Sequence, residues 1–131
     1  MEMSRRGPQG RMAEILGPRA VFSDEFYRTV GIYEIAKETL PNLSKQDLEL
    51  FQAYADGVND FVRGIGANGA EATANYLPLE FKNVGLTEFV PWTPLDTLSV
   101  LGGFKFWLTW NWPQDSMRET LRLVGLGDLA D

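Results

Sequence analysis

The chain is 131 residues long, about one domain, and its 44% hydrophobic and 12% aromatic residues can fill a core and are too many for a disordered tail. A net charge of -6 leaves no basic surplus for nucleic acid or an anionic membrane surface. With no cysteine and no histidine, disulfides, thiolate nucleophiles, Ser-His-Asp and Cys-His constellations and His-ligated zinc are excluded.

Catalysis by this chain alone would have to use carboxylates, Lys, Tyr or a terminal amine. No apolar run approaches the ~20 residues that span a bilayer. Met1 to Arg6 carries charge with no apolar stretch behind it, so it is not a secretory signal. It reads as the middle of a helix begun earlier in a longer protein.

In chain order, Met1 to about Leu16 is helical in character, interrupted at Gly7-Pro8-Gln9-Gly10 and closed by Gly17-Pro18. Its Arg5-Arg6 pair, with Arg11, reads as a solvated or ion-paired helix face. Ser23 is a suitable N-cap for a second helix, with Asp24 and Glu25 as helix-start charges, running to about Thr39 before Pro41. Ser44 with Asp47 makes a capping-box-like start to a third helix, where Leu48, Phe51, Tyr54, Ala55, Val58, Phe61, Val62 and Ile65 form one apolar stripe.

Gly57 in the middle of that stripe costs roughly 1 kcal/mol against alanine, which predicts a close approach by another backbone or bulky side chain. The third helix ends near Gly64-Ile65-Gly66, and residues 64 to 76 read as a loop. Leu77-Pro78-Leu79-Glu80-Phe81 is a turn or short helix. Thr93-Pro94-Leu95-Asp96 starts a further helix with N-cap, N1 proline and N3 acid in place. Leu98, Leu101, Phe104, Phe106, Trp107 and Leu108 lie nearly all round it, which predicts burial on most sides. Gly102-Gly103 within it predicts close packing or a kink. Asn111-Trp112-Pro113 breaks it, and a last helix from about Gln114 to Val124 ends at Gly125 and Gly127. No strand pattern appears, so the fold class is mainly α.

Six blocks, in order along nearly the whole chain, resemble the α subunit of the penicillin acylase (penicillin amidase) family. They are Met1 to Arg6, Gly10 to Gly17, Tyr54 to Asn59, Leu77 to Phe81, Trp92 to Asp96, and Asn111-Trp112 with Asp115, Arg118 and Leu121. The resemblance implies a helical segment that wraps the αββα core of an N-terminal-nucleophile hydrolase. It makes residues 1–131 a single internal piece of an α subunit, without its first strands or the whole β subunit.

In such enzymes a precursor cuts itself and the new N-terminal serine of the β subunit attacks the amide carbonyl. That serine's own amino group serves as base, which needs no histidine or cysteine. The serines present are Ser4, Ser23, Ser44, Ser99 and Ser116. None is N-terminal and none follows glycine, so the resemblance implies a chain inactive alone, with the β subunit as partner and an N-acyl small molecule as substrate.

Two further site expectations come from the resemblance. Reading without gaps from Trp92-Thr93-Pro94-Leu95-Asp96, the family's calcium ligand in the α subunit falls on Asp115, where the family has Glu; the other oxygens would come from β. The same register puts positions lining the acyl pocket at Lys105, Leu108 and Thr109. None matches the apolar residue and Arg-Phe pair of the penicillin G branch, so that branch's acyl preference does not transfer. The Tyr54 to Asn59 block is expected to be structural. A periplasmic or secreted location is implied by the family alone. The competing reading is a stand-alone helical interaction protein without hydrolytic activity, which a neighbouring reading frame with a Gly-Ser junction would argue against.

Overall fold

The computed structural model describes residues 1–66, 79–85 and 89–126. Among them every regular element is helical and no strand occurs, in agreement with a mainly α chain. Residues 67–78, including most of the expected loop and Leu77-Pro78, lie outside the described residues, as does Gly127.

The short helices α1 (Glu2–Arg6) and α2 (Ala13–Leu16) flank a tight turn in which the Gly10 N–H donates to the Gly7 carbonyl at 2.9 Å. Gly17 closes α2 as its C-cap, as expected of Gly17-Pro18. Gly17, at φ 67°, opens a 3-10 turn (Gly17–Ala20) that leads straight into α3 (Val21–Val30). Ser23 therefore lies inside α3 and does not cap it. The single helix expected up to Thr39 is divided by Gly31, whose left-handed backbone (φ 77°) separates α3 from α4 (Ile32–Thr39). Only glycine takes that conformation at little cost, and the unbroken apolar pattern around it hides the break.

Helix α5 (Lys45–Gly66) starts as expected: the Ser44 hydroxyl accepts the Asp47 N–H at 3.1 Å and donates to the Asp47 carboxylate at 2.6 Å. Leu79-Glu80-Phe81 belongs to α6 (Leu79–Asn83). Helix α7 (Pro94–Leu108) carries a complete capping box between Thr93 and Asp96. Helix α8 (Trp112–Leu123) begins two residues before the expected Gln114, because a proline in the first turn needs no N–H there. It closes at Gly125, φ 79°.

Helix α7 packs on α4 and α5 and, near its start, on α1. The expectation that it is buried on most sides fails for this chain. Leu101, Phe104, Trp107 and Leu108 are 49%, 62%, 64% and 68% exposed, and its buried residues are Asp96 and Ser99. The apolar stripe of α5 is likewise only partly covered. Ala55 is fully buried, Phe51, Val58 and Val62 are half-buried, and Leu48, Tyr54 and Phe61 are exposed; the side chain of Ile65 lies outside those described.

The glycines divide in the opposite sense from the expectation for α5. A Cβ added to Gly103 would lie 2.7 Å from Pro8 Cγ, and one on Gly102 would lie 3.1 Å from Ile32 Cγ2, so the pair marks close packing. A Cβ on Gly57 would meet nothing within 4 Å among the described residues. The approach expected at Gly57 is not made by any of the described residues.

Candidate functional site

The most heavily bonded place in the molecule is the entry to α7. The side-chain amide of Asn59, on α5, brackets the backbone of Trp92: it donates to the Trp92 carbonyl at 2.9 Å and accepts the Trp92 N–H at 2.7 Å. The Trp92 indole donates to the Thr97 hydroxyl at 2.8 Å. From α1, the buried Arg5 guanidinium donates to the carbonyls of Val90 (3.0 Å) and Pro91 (3.2 Å) and lies over the rings of Phe89 and Trp92. It also pairs with Glu2 and, at 3.6 Å, with the Asp96 carboxylate, which accepts from Gln9 at 2.9 Å.

Of the solvated or ion-paired face expected for Arg5 and Arg6, the ion-paired alternative holds, and the pair is buried as well. Arg5 and Arg6 are both about nine-tenths or more covered and are held by Glu2, Glu14 and Asp96. Burying a charge is tolerated only with such partners. Arg11 reaches Glu14 as well, and its hydrogen bond holds the Glu14 carboxyl below the ordinary glutamate range while Glu14 raises Arg11. Asp24 stands in the first turn of α3, as expected of a helix-start charge, and has a second role that was not expected. It is buried and accepts the N–H groups of Met12 (2.8 Å) and Ala13 (2.7 Å), capping α2 from α3.

Between α4 and the second half of α7 lies an apolar cleft of about 460 Å³, walled by residues such as Ile32, Ala36, Leu98, Leu101 and Phe106. Gly102 brings the two helices close, and the cleft opens where side chains diverge from that contact. Lys105 and Thr109 both line it. Lys105 is exposed and its ammonium has no carboxylate partner among the described residues. The Thr109 hydroxyl is occupied with the carbonyls of Lys105 and Phe106 at the end of α7. Leu108, exposed, is not among the residues lining the cleft. Of the three positions expected at a pocket, the structure brings two together.

Asp115 sits in the first turn of α8, more than half exposed, with Arg118 3.7 Å away. Among the described residues no group of three or more acidic or other metal-binding side chains comes together. A calcium ion takes six to eight oxygens, so the described residues by themselves do not fit one. No described helix is long and apolar enough to cross a membrane.

The sequence reading missed the Asn59 bracket, the Gln9–Asp96 bond and the Asp24 cap. For Asn59 a signal existed, since an amide stood on an otherwise apolar face. Its partner 33 residues away did not announce itself, because a backbone acceptor has no sequence signature.

The class defined by these features is an all-helical chain with a ligand-sized apolar cleft, neither cysteine nor histidine, and an α7 whose far flank is uncovered by its own chain. The sequence matches the model of the penicillin amidase family over residues 1–130, and the chain belongs to that family. It is 32% identical to penicillin G acylase from Escherichia coli over 79% of this chain and 12% of that protein. It is 33% identical to penicillin acylase 2 proenzyme from a Pseudomonas species over 77% and 12%. With acyl-homoserine lactone acylase QuiP from Pseudomonas aeruginosa the identity is 31% over 93% and 14%. The chain thus spans about an eighth of the length of these relatives, all of which are named as acylases.

Proposed function

We propose that this chain is part of the α subunit of an amide hydrolase that cleaves linear N-acyl amides, with the nucleophile, an N-terminal serine, on a β subunit. The observation that carries this reading is the family match over residues 1–130 in a chain with no histidine and no cysteine. The five serines support it. Ser99 is fully buried and donates to the Asp96 carbonyl, Ser44 caps α5, and Ser4, Ser23 and Ser116 lie within α1, α3 and α8. Ser44 meets the Asp47 carboxylate at 2.6 Å, but that exposed pair is the cap of α5.

In this reading the α4–α7 cleft, with Lys105 and Thr109 at its lining, forms one wall of the acyl pocket, and β supplies the rest. The amide carbonyl is attacked by the serine hydroxyl, whose proton passes to that serine's own α-amino group. The tetrahedral intermediate collapses with cleavage of the C–N bond, the proton on the α-amino group passing to the departing amine. Water then hydrolyses the acyl-enzyme ester to release the acid and restore the serine hydroxyl. This chain's share is binding and orientation of the acyl group, which raises the rate by positioning. Calcium at Asp115 belongs to the same proposal, with β furnishing the remaining oxygens.

The test is hydrolysis of a chromogenic phenylacetyl-anilide and an octanoyl-anilide. The whole protein that carries this chain is expected to turn over at least one of them, and the purified 131-residue chain neither. Turnover by the purified chain alone would overturn the assignment of the nucleophile to β.

A further inference from the structure

Helix α7 is held in two unequal ways. Its first turn is fixed by polar contacts from α1 and α5, whereas beyond Gly103 its outer side chains Phe104, Trp107 and Leu108 are exposed. Within this chain, α7 is therefore oriented by directional bonds at its entry and by apolar contact at mid-length, where Gly102 meets Ile32 and Gly103 meets Pro8. Of the contacts at the entry, only Asn59 holds both the donor and the acceptor of one peptide residue, Trp92, from another helix.

We propose that Asn59 is a positioning residue for the acyl pocket, supported by Arg5 on the two preceding carbonyls. By fixing the backbone of Trp92 it sets the axis of α7, and with it where Lys105 and Thr109 stand in the cleft. This inference rests on the reading of the α4–α7 cleft as the acyl-pocket wall.

The leverage is large. At 1.5 Å per residue, Lys105 and Thr109 lie about 16 and 22 Å along α7 from Pro94, so a 5° tilt at the entry moves them by roughly 1.5 and 2 Å. A displacement near 1 Å at bound substrate can cost on the order of 100-fold in rate. Contacts with α4 and α5 damp the tilt, and a change of about threefold to tenfold in selectivity is expected.

The test uses the whole protein with Asn59→Ala, Asn59→Asp and, as control, Asp24→Ala. The control loses a buried cap of α2, whose main packing is on the Gly17–Ala20 turn and α6; its own helix α3 meets α7 through Phe26 on Phe106, not through Asp24. The first readout is the ratio of kcat/KM for phenylacetyl-anilide to that for octanoyl-anilide. This ratio is blind to the fraction of folded enzyme, so a merely structural role leaves it unmoved. Asn59→Ala is expected to shift the ratio, and Asn59→Asp, which keeps the acceptor for the Trp92 N–H, to shift it less. Asp24→Ala is expected to lower Tm without moving it.

The second readout is amide hydrogen exchange over residues 94–108, expected to speed up in both Asn59 variants beyond the control. An unchanged ratio, or exchange no faster than in Asp24→Ala, overturns the proposal. If the wild-type protein hydrolyses neither anilide, the amidase reading falls by itself and the exchange comparison alone decides on Asn59.

Discussion

Replacing Gly103 by alanine places a methyl group where the molecule has no room. The new Cβ would lie 2.7 Å from Pro8 Cγ and 3.2 Å from its Cβ. The pyrrolidine ring cannot rotate away, and its segment is tied down by the Gly10–Gly7 backbone bond and by Gln9 on Asp96. Overpacking of this kind costs about 1–3 kcal/mol. Against it stands the gain of roughly 1 kcal/mol from removing glycine from a helix interior. Gly57→Ala brings the same helix-propensity gain with no contact to disturb among the described residues. The propensity term cancels between the two variants, so Gly103→Ala should be less stable than Gly57→Ala by about 1–3 kcal/mol. Urea midpoints from far-UV circular dichroism of the purified chain measure the difference. Equal midpoints would refute the claim that Pro8 and α7 are in rigid contact. A Gly57→Ala midpoint below wild type would refute the open space at α5.

Asp24→Ala leaves two backbone N–H groups without their acceptor, and at about 1–3 kcal/mol for each such loss, reduced where water reaches the half-buried Met12 and Ala13, the cost is about 2–4 kcal/mol, read as a fall in the urea midpoint. For Glu14 the sign follows from its lowered folded-state pKa, caused first by the Arg11 hydrogen bond. Its contribution is complete above the unfolded value and is lost as pH falls through the folded one. Glu14→Gln should therefore lower the midpoint at neutral pH and leave it unchanged at about pH 2; the effect is small because the side chain is 44% exposed. In the whole protein, chelation by EGTA is expected to lower Tm of the wild type and not of Asp115→Ala; equal shifts would remove Asp115 from any calcium site.

What could be read in the sequence follows the range of the forces involved. Caps act within three residues, so Ser44/Asp47 and Thr93/Asp96 were recoverable with their partners. Gly31 was not recognised as a break because the apolar pattern is continuous across it and the left-handed backbone leaves no trace except the glycine itself. For Arg5 and Arg6 the ion-paired alternative holds and Asp24 does stand at a helix start, but their burial and the bonds of Asp24 to α2 were not foreseen. Whether a charge is buried depends on partners up to 87 residues away, as with Gln9 and Asp96 for the entry to α7. The pocket positions show the same limit. Register put Lys105, Leu108 and Thr109 on one helix, but their azimuth decides what they face, and only Lys105 and Thr109 line the cleft.

Helix α7 shows why composition alone overstated burial. A helix apolar on every side is stable in water only when covered on every side, yet this chain covers the sides facing α4 and α5 and leaves Phe104, Trp107 and Leu108 open. The polar anchors sit where the chain's own elements meet, at Asn59, Arg5, Gln9 and the Thr93–Asp96 box. The uncovered apolar area sits beyond them. Directional bonds that fix an orientation need partners at defined distances, so they are built within the segment. Apolar cover is non-directional and can be supplied by another part of the protein. On that division Asn59 fixes where α7 points, and whatever packs over Trp107 and Leu108 determines how firmly it stays there.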